Sequence, residues 1–312
     1  MSDRDRDTFR AGFVALLGRP NVGKSTLVNA LTGEKVAIVT PKPQTTRTRI
    51  TAIVNRPEAQ LILVDTPGVL GGRDPLRRAL RRVAHGAAAE ADLTLVVAEV
   101  HREEARITHE DRRIVEAARR GSGRVVVALN KIDRLERKEI LLPWMQRYAS
   151  EPGIEAVVPI AALHNDGLDD LVDELVQRLP YSPALFPTDI YTDQAERFLC
   201  AELVREQLLL QTRQEVPHSA AVVIDSFEDG RDESDGMCRL EGRIILEAES
   251  QKGIVVGKGG RKIKAVSQAA RAEIEELLGC KVFLRMQVEV DRDWTRSDRA
   301  LLRLGIGPGV DE

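Results

Sequence analysis

From residue 12 to residue 179 the chain alternates short β-branched and aliphatic runs with longer stretches of helical period. The runs predict strands at Phe13 to Leu17, Arg49 to Val54, Leu61 to Val64, Leu93 to Ala98, Arg124 to Leu129 and Ala156 to Ile160. The stretches between them predict helices over 24–32, 74–89, 108–120, 136–149 and 167–179. That alternation predicts an α/β domain, a mostly parallel sheet covered by helices on both faces. Such sheets take ligands at the carboxyl ends of their strands.

The pattern breaks at residues 180–193, PYSPALFPTDIYTD, whose three prolines suit neither a helix interior nor a central strand. Beyond this linker, a helix is expected around 194–213, with Ala195, Phe198, Leu199 and Leu203 on one side. A strand at Ala220 to Phe227, a polar turn at 228–236 and a strand at 237–248 follow. The last of these sets Leu240, Ile244 and Leu246 against Arg239, Glu241 and Arg243. Two short helices joined at Gly257 to Gly260 lead to a final strand, 281–290, with Val282, Leu284, Met286, Val288 and Val290 on one face. The order is α-β-β-α-α-β, an α+β unit. The expected division is a charged tail at 1–11, the α/β domain at 12–180, a linker at 181–193, the second domain at 194–292 and a tail at 293–312 with frayed last residues.

Composition adds limits. At 43% hydrophobic and 4% aromatic, the cores must be mostly aliphatic. A net charge of −3 means that any polyanion site must be local. Cys200, Cys238 and Cys280 have no metal-ligand spacing, and their odd number argues against a disulfide framework. They read as small buried hydrophobes in a reducing compartment. His85, His101, His109, His164 and His218 form no metal pattern and read as surface residues. The opening residues, MSDRDRDTFR, lack the apolar core of a signal peptide, and no apolar run reaches membrane-spanning length. The expectation is a soluble, cytoplasmic protein, with peripheral membrane contact left open.

The chemistry begins at Gly18-Arg19-Pro20-Asn21-Val22-Gly23-Lys24-Ser25, followed by Thr26, which fits G-x-x-x-x-G-K-[ST] between a strand and a helix. Its backbone N–H groups can wrap phosphates and the following helix adds its positive dipole end. Lys24 would reach the β- and γ-phosphates, and the Ser25 hydroxyl Mg²⁺. A plain glycine turn leaves the lysine unexplained, because a cation at a helix N-terminus opposes the dipole. Downstream, the apolar run Leu61 to Val64 ends in Asp65-Thr66-Pro67-Gly68. An acid at that strand tip can approach Mg²⁺, and the Gly68 N–H can touch a γ-phosphate. The run Val125 to Leu129 leads into Asn130-Lys131-Ile132-Asp133. Guanine presents two adjacent donors that the Asp133 carboxylate can accept together. Adenine would leave the acid unpaired, at a cost of about 1–3 kcal/mol or more.

With these motifs in this order, the sequence resembles the translation-factor-related GTPases and, within them, the Era family. The loop Pro41-Lys42-Pro43-Gln44-Thr45-Thr46-Arg47-Thr48 is similar to that family's first switch, whose threonine binds Mg²⁺ in the GTP state. Thr45 and Thr46 both remain open, with Thr46 preferred. The resemblance makes Lys24, Asn21 and Thr46 the catalytic candidates and Ser25, Thr46 and Asp65 the metal ligands. Two features depart from related patterns. The last guanine motif, usually Ser-Ala, is Ala161-Ala162 here, after Ile160. The Ala162 N–H is left to bond guanine O6, but the hydroxyl that would brace the acid is gone. Where signalling GTPases place a water-orienting glutamine, this chain has Val69, as Era-like proteins do, so unassisted turnover should be slow. Relatives with asparagine at the position of Asn21 bind K⁺ there, which makes K⁺ a possible third cofactor beside GTP/GDP and Mg²⁺.

In the second domain, Gly257-Lys258-Gly259-Gly260 is a G-x-x-G loop between two short helices, the clamp of RNA-binding KH domains. Lys252, Lys258, Arg261, Lys262 and Lys264 surround it, and residues 251–264 hold no acid. Alone, a glycine-rich turn with solvated lysines is as good a reading. The α-β-β-α-α-β order matches the prokaryotic-type KH fold and favours single-stranded RNA. A P-loop GTPase domain followed by such a KH domain is the Era architecture. The resemblance implies binding to the 3′ end of small-subunit (16S) ribosomal RNA, work on the 30S subunit during its assembly, a monomer, and contact with the inner face of the membrane. A passive RNA-binding protein with a structural nucleotide, and a tRNA-modification GTPase, are the alternatives. The latter is disfavoured because residues 194–312 carry no further catalytic constellation.

Overall fold

The computed structural model describes residues 8–306 apart from 44, 69–73, 101–104, 213–219, 235 and 293. Val69, Gln44, His101 and His218, singled out above, lie outside the described residues, as do residues 1–7 and 307–312.

The first domain is a six-stranded sheet in the order β2-β3-β1-β4-β5-β6. Its strands are β1 (Arg10–Leu17), β2 (Ile50–Arg56), β3 (Ala59–Asp65), β4 (Leu93–Glu99), β5 (Val125–Asn130) and β6 (Ile154–Pro159). Only β2 runs antiparallel, hairpinned onto β3. The β-branched runs become β1, β3, β4 and β5 because strands covered on both faces must be apolar on both faces. Helices α1 (Lys24–Thr32) and α5 (Leu168–Val176) cover one face. Helices α2 (Pro75–Glu90), α3 (His109–Arg120) and α4 (Leu141–Ala149) cover the other. Helix α4 starts later than the pattern at 136–149 suggests; a 3-10 turn at Lys138–Ile140 precedes it. Pro143 explains the late start, since a residue without N–H fits only the first helical turn.

The second domain has α6 (Glu196–Gln211), β7 (Ala220–Glu228), β8 (Met237–Leu246), α7 (Glu249–Val256), α8 (Arg261–Leu278) and β9 (Lys281–Val290). β8 pairs antiparallel with β7 and parallel with β9. One apolar core joins α6, α8 and the sheet, with Leu203, Val204, Leu240, Ile244, Val266 and Ile274 all buried. The alternation read in β9 appears as alternating exposed and part-buried positions, although Phe283 on its outer face is also apolar.

Two segments are more structured than their composition suggested. The proline-containing linker runs along the edge strand β2. Ile53 donates its N–H to the Tyr191 carbonyl at 2.8 Å, and the Thr192 hydroxyl donates to the Thr51 carbonyl at 2.6 Å. The fully buried Gln60 amide holds the linker further up: its oxygen accepts from Leu185 and Phe186, and its nitrogen donates to the Phe186 carbonyl. Residues expected as a C-terminal tail contain α9 (Asp298–Arg303) and a fully buried Trp294. Trp294, Leu301 and Ile306 pack with Leu76 and Leu80 of α2 and with Ala221 and Ile245 of the second sheet. The expectation of fraying therefore fails at Ile306, which is buried by that apolar cluster.

Candidate functional site

Strand β1 lies between β3 and β4, so the chain leaves it toward one side of the sheet and later returns on the other. The loop after β1 stands at that reversal, where doubly wound sheets open a crevice. A cavity of about 380 Å³ sits there. Its walls come from Pro20, Asn21 and Gly23 to Thr26, from Ile38 to Pro41 with Thr45 and Thr46, and from Gly68, Asn130, Lys131, Asp133, Arg134 and Leu163. Five sequence-distant segments thus meet around one space. Leu163 and Ile38 to Thr40 had no signal in the sequence; Leu163 is an exposed apolar residue beside Asp133 on the wall.

The P-loop is held by position more than by side chains. Gly23 has φ 102°, and a Cβ there would lie 2.3 Å from the Asn130 amide nitrogen. Lys24 is buried, its ammonium donating to the Gly18 and Arg19 carbonyls at 3.3 and 3.2 Å. Burial pushes its pKa down, and the Asp65 charge opposes that shift. The Arg19 guanidinium bonds Asp111 of α3 at 2.9 Å, so Arg19 presents only main chain to the loop. Asn21, at φ 64°, donates from its side chain to the Pro41 carbonyl at 2.9 Å.

Three oxygen groups converge beside Lys24. The Ser25 and Thr46 hydroxyls lie 3.0 Å apart, and both reach Asp65 Oδ2, at 2.8 and 3.2 Å. Asp65 is fully buried at the end of β3, and its other oxygen, Oδ1, has no hydrogen-bond partner among the described residues. Burial drives its pKa up against the pull of Lys24 and the two hydroxyls. A buried carboxylate oxygen without a partner is costly by itself, and a hard divalent cation with oxygen ligands would satisfy it. Thr45 turns elsewhere: its hydroxyl sits 2.7 Å from that of Thr40 and donates to the Lys42 carbonyl at 2.8 Å. The Thr66 hydroxyl is spent on the Leu16 carbonyl at 2.6 Å, which ties β3 to β1.

Asn130 joins the base end. Its side chain donates to the Val22 carbonyl at 2.8 Å and accepts from the Lys131 and Ala162 N–H groups at 2.8 and 3.0 Å. The Lys131 ammonium spans the mouth from Glu99 to the Asn21 carbonyl. Asp133 stands on the wall, with His164 3.8 Å away. Ala161 and Ala162 lie buried behind the wall, as do Gly18, Val22, Thr66 and Pro67, while half-buried Arg19 is off the wall.

In the second domain, Gly257, Gly259 and Gly260 all have positive φ. At Gly259, φ is 60° and a Cβ would meet nothing within 4 Å, so the loop's outer side is open. Lys258, Arg261 and Lys264 are exposed, with Lys252 and Lys262 half-buried. None of the five pairs with an acid among the described residues. Exposed Ile254 of α7 adds an apolar side chain next to this charge.

Between the two sites, the loop carrying Thr46 is built into the second domain. Lys35 pairs with Glu206 at 2.5 Å and also with Glu273. Ile38 joins the second domain's core, and the Val39 N–H donates to Glu206 at 2.8 Å. Lys42 donates to the Leu209 and Thr212 carbonyls, and Arg205 donates to the Thr45 carbonyl. Arg47 is buried, bonds the Ala220 carbonyl at 2.7 Å and lies 5.8 Å from the Trp294 ring. Burial and the nearby Arg205 lower its pKa to about 9, which leaves it charged at neutral pH.

Comparison with known proteins agrees with both halves. Residues 13–131 match the family described as 50S ribosome-binding GTPase, and residues 215–295 match the KH domain. GTPase Era of Syntrophus aciditrophicus is 44% identical over 95% of this chain and 95% of its own length. GTPase Era of Geobacter metallireducens is 42% identical over 98% of this chain and 99% of its own. Among solved structures, an Era variant from Aquifex aeolicus bound to GDP and AlF4⁻ superposes with a TM-score of 0.88 at 36% identity, covering 96% of this chain and 100% of that one. Era in complex with MgGDPNP and nucleotides 1506–1542 of 16S ribosomal RNA gives a TM-score of 0.89, with the same identity and coverage.

Proposed function

The chain belongs to the Era family of GTPases, and on that premise we propose that it is a GTP-driven switch for RNA. Its GTP state holds the 3′ end of 16S ribosomal RNA in the KH groove, and hydrolysis releases that RNA during small-subunit assembly. One observation carries this reading: the loop bearing Thr46 is anchored at both ends of its contact with α6 of the KH domain. A loop that reports on the γ-phosphate cannot rearrange there without disturbing the RNA-binding domain.

At the nucleotide, the P-loop N–H groups and the α1 N-terminus cradle the phosphates, and Lys24 reaches the β- and γ-phosphates once they displace its carbonyl partners. Asp133 accepts the two guanine donors, and Asn130 keeps its loop against the P-loop. Ser25, Thr46 and Asp65 would hold Mg²⁺, which fits the partnerless Asp65 Oδ1. Mg²⁺ there would draw charge from the β- and γ-phosphate oxygens. Val69 offers no hydrogen bond to an attacking water, so intrinsic turnover is slow, on the order of 10⁻² s⁻¹ or less. K⁺ near Asn21 would supply further positive charge. Exchange of K⁺ for Na⁺ at equal ionic strength is expected to lower the GTPase rate, and an unchanged rate removes K⁺ from the mechanism. The protein acts as a monomer. Among the described residues no helix is long and apolar enough to cross a membrane, so contact with the membrane's inner face would be peripheral.

The test is to crosslink the protein to cellular RNA with GTP, GDP or a non-hydrolysable analogue and to sequence what is held. The 3′ end of small-subunit rRNA should dominate with the analogue and fade with GDP. Its absence from every sample overturns the assembly role.

A further inference from the structure

Cys200 on α6, Cys238 on β8 and Cys280 in the turn between α8 and β9 all join the second domain's apolar core. Cys200 behaves as the small buried hydrophobe its sequence suggested: burial pushes its thiol up to about 12. The other two form a pair. The Cys280 thiol donates to the Cys238 sulfur at 3.2 Å. The strand register accounts for this meeting, because β8 and β9 run parallel with Cys238 opposite Val282. Cys280 stands two residues before Val282 and so projects to the same, helix-covered face of the sheet. Gly279, with φ 66°, ends α8 and turns the chain into that position.

The two thiols differ in access. Cys238 is buried, whereas Cys280 is half-buried, and a Cβ at the neighbouring Gly279 would meet nothing within 4 Å. Behind the pair, the Cys238 thiol donates to Asp229 Oδ1 at 3.5 Å. Arg231 donates to that same oxygen at 2.9 Å and reaches both carboxylate oxygens of Glu196 on α6. Arg231 also holds the Asp229 carboxyl below the usual carboxylate range, which keeps it an ionised acceptor. Burial, then the bond from Cys280, push the Cys238 thiol up to about 11, so the resting pair is two thiols. Among the described residues no group of three or more metal-ligating side chains assembles, which leaves the pair the chemistry of sulfur with sulfur.

We propose that Cys238 and Cys280 are a reversible dithiol–disulfide site, oxidised by low-molecular-weight disulfides, whose bond staples the frame of the KH domain. The exposed partner reacts first: the Cys280 sulfur attacks one sulfur of the small disulfide, forms a mixed disulfide and releases one small thiol, which carries off the Cys280 proton. The Cys238 sulfur then attacks the Cys280 sulfur and expels the second small thiol, which carries off the Cys238 proton. One small disulfide is reduced to two thiols, and two protein thiols become one disulfide. The sulfurs need to close by only about 1 Å to reach the ~2.04 Å of an S–S bond. Disulfides that form in reducing compartments are transient and redox-sensing, which suits a pair that rests reduced. The two residues are 42 positions apart, and the chain between them holds α7, the GKGG loop and α8. The 18 residues of α8 set the bond about 27 Å from the glycine loop, so the staple leaves that loop open. Closing so long a loop restricts the unfolded chain and favours the folded domain. The proposal stands whether or not nucleotide and RNA are coupled as described above.

The test treats the full chain with oxidised glutathione and follows free thiols, intact mass and linked peptides. Wild-type protein should lose two of its three thiols, become lighter by two hydrogens and yield a peptide joining Cys238 to Cys280, with Cys200 free. Dithiothreitol should restore all three thiols. Cys238→Ala should stop at the intermediate and keep one glutathione on Cys280. Cys280→Ser, altered only in the half-exposed turn, should keep both remaining thiols. In the crosslinked wild type the urea midpoint of the second domain should rise by about 1 M, and in treated Cys280→Ser it should not. Three thiols left free, glutathione that stays on wild-type Cys280, a link made through Cys200, or a crosslinked protein with an unmoved midpoint each overturns the proposal.

Discussion

At the scale of single residues, function depends on where side chains are aimed. Thr45 and Thr46 are adjacent and chemically identical, yet one hydroxyl bonds within its own loop and the other meets Ser25 and Asp65. Thr46→Ala is therefore expected to raise the Mg²⁺ concentration needed for binding of a GTP analogue. Thr45→Ala should leave that concentration close to wild type; Mg²⁺ titrations followed by a fluorescent analogue distinguish them. Equal effects would show that the loop, not the hydroxyl, matters. The motifs carrying Lys24, Asp65 and Asp133 were legible because phosphate, cation and guanine each demand particular groups at set spacings. The choice between two threonines was not, since local pattern does not encode rotation about the chain. The same holds for Asn130, whose partner Val22 is 108 positions away. Asn130 also occupies the group expected to reach guanine O6: the Ala162 N–H donates to its side-chain oxygen at 3.0 Å.

At the scale of elements, apolar runs were the reliable signal. Strands β3, β4 and β5 were readable because they are buried on both faces, and β9 because it alternates. Boundaries set by other forces were not. Pro143 delays α4, and the short α9 has too few residues for a helical period to stand out; it exists because Leu301 and Ile306 find Trp294 and α2. The glycine loop of the KH domain makes a prediction of its own. Gly259 has open space around it, and aspartate is among the residues that adopt its left-handed backbone with least strain. Gly259→Asp should thus fold, keep GTP affinity and lose RNA binding through added negative charge. Loss of both activities would mean that the domain had misfolded. In the wild type, about four phosphate contacts should give a log–log salt slope near −3 on single-stranded RNA.

At the scale of the whole molecule, the two domains meet through the switch loop on one side and the Trp294 cluster on the other. Glu206 is central to the first contact: it takes Lys35 and the Val39 N–H, and burial raises its pKa against both. Glu206→Gln keeps an acceptor for Val39 and removes the charge. The expected result is an RNA affinity that differs less between GTP-analogue and GDP states, with GTP affinity itself retained. An unchanged difference would place the coupling elsewhere, at α2 and Trp294.

The linker lying on β2 bears on how such contacts can be broken. Its ladder of hydrogen bonds to Thr51, Ile53 and Gln60 covers the one antiparallel edge and leaves little free chain between the domains. A KH domain that lets go of the switch loop therefore stays nearby at a high effective concentration, of the millimolar order known for short tethers. Re-docking is then a unimolecular event. The interface can be weak enough for one phosphate to open it and still re-form once that phosphate is gone, whatever the protein's concentration in the cell.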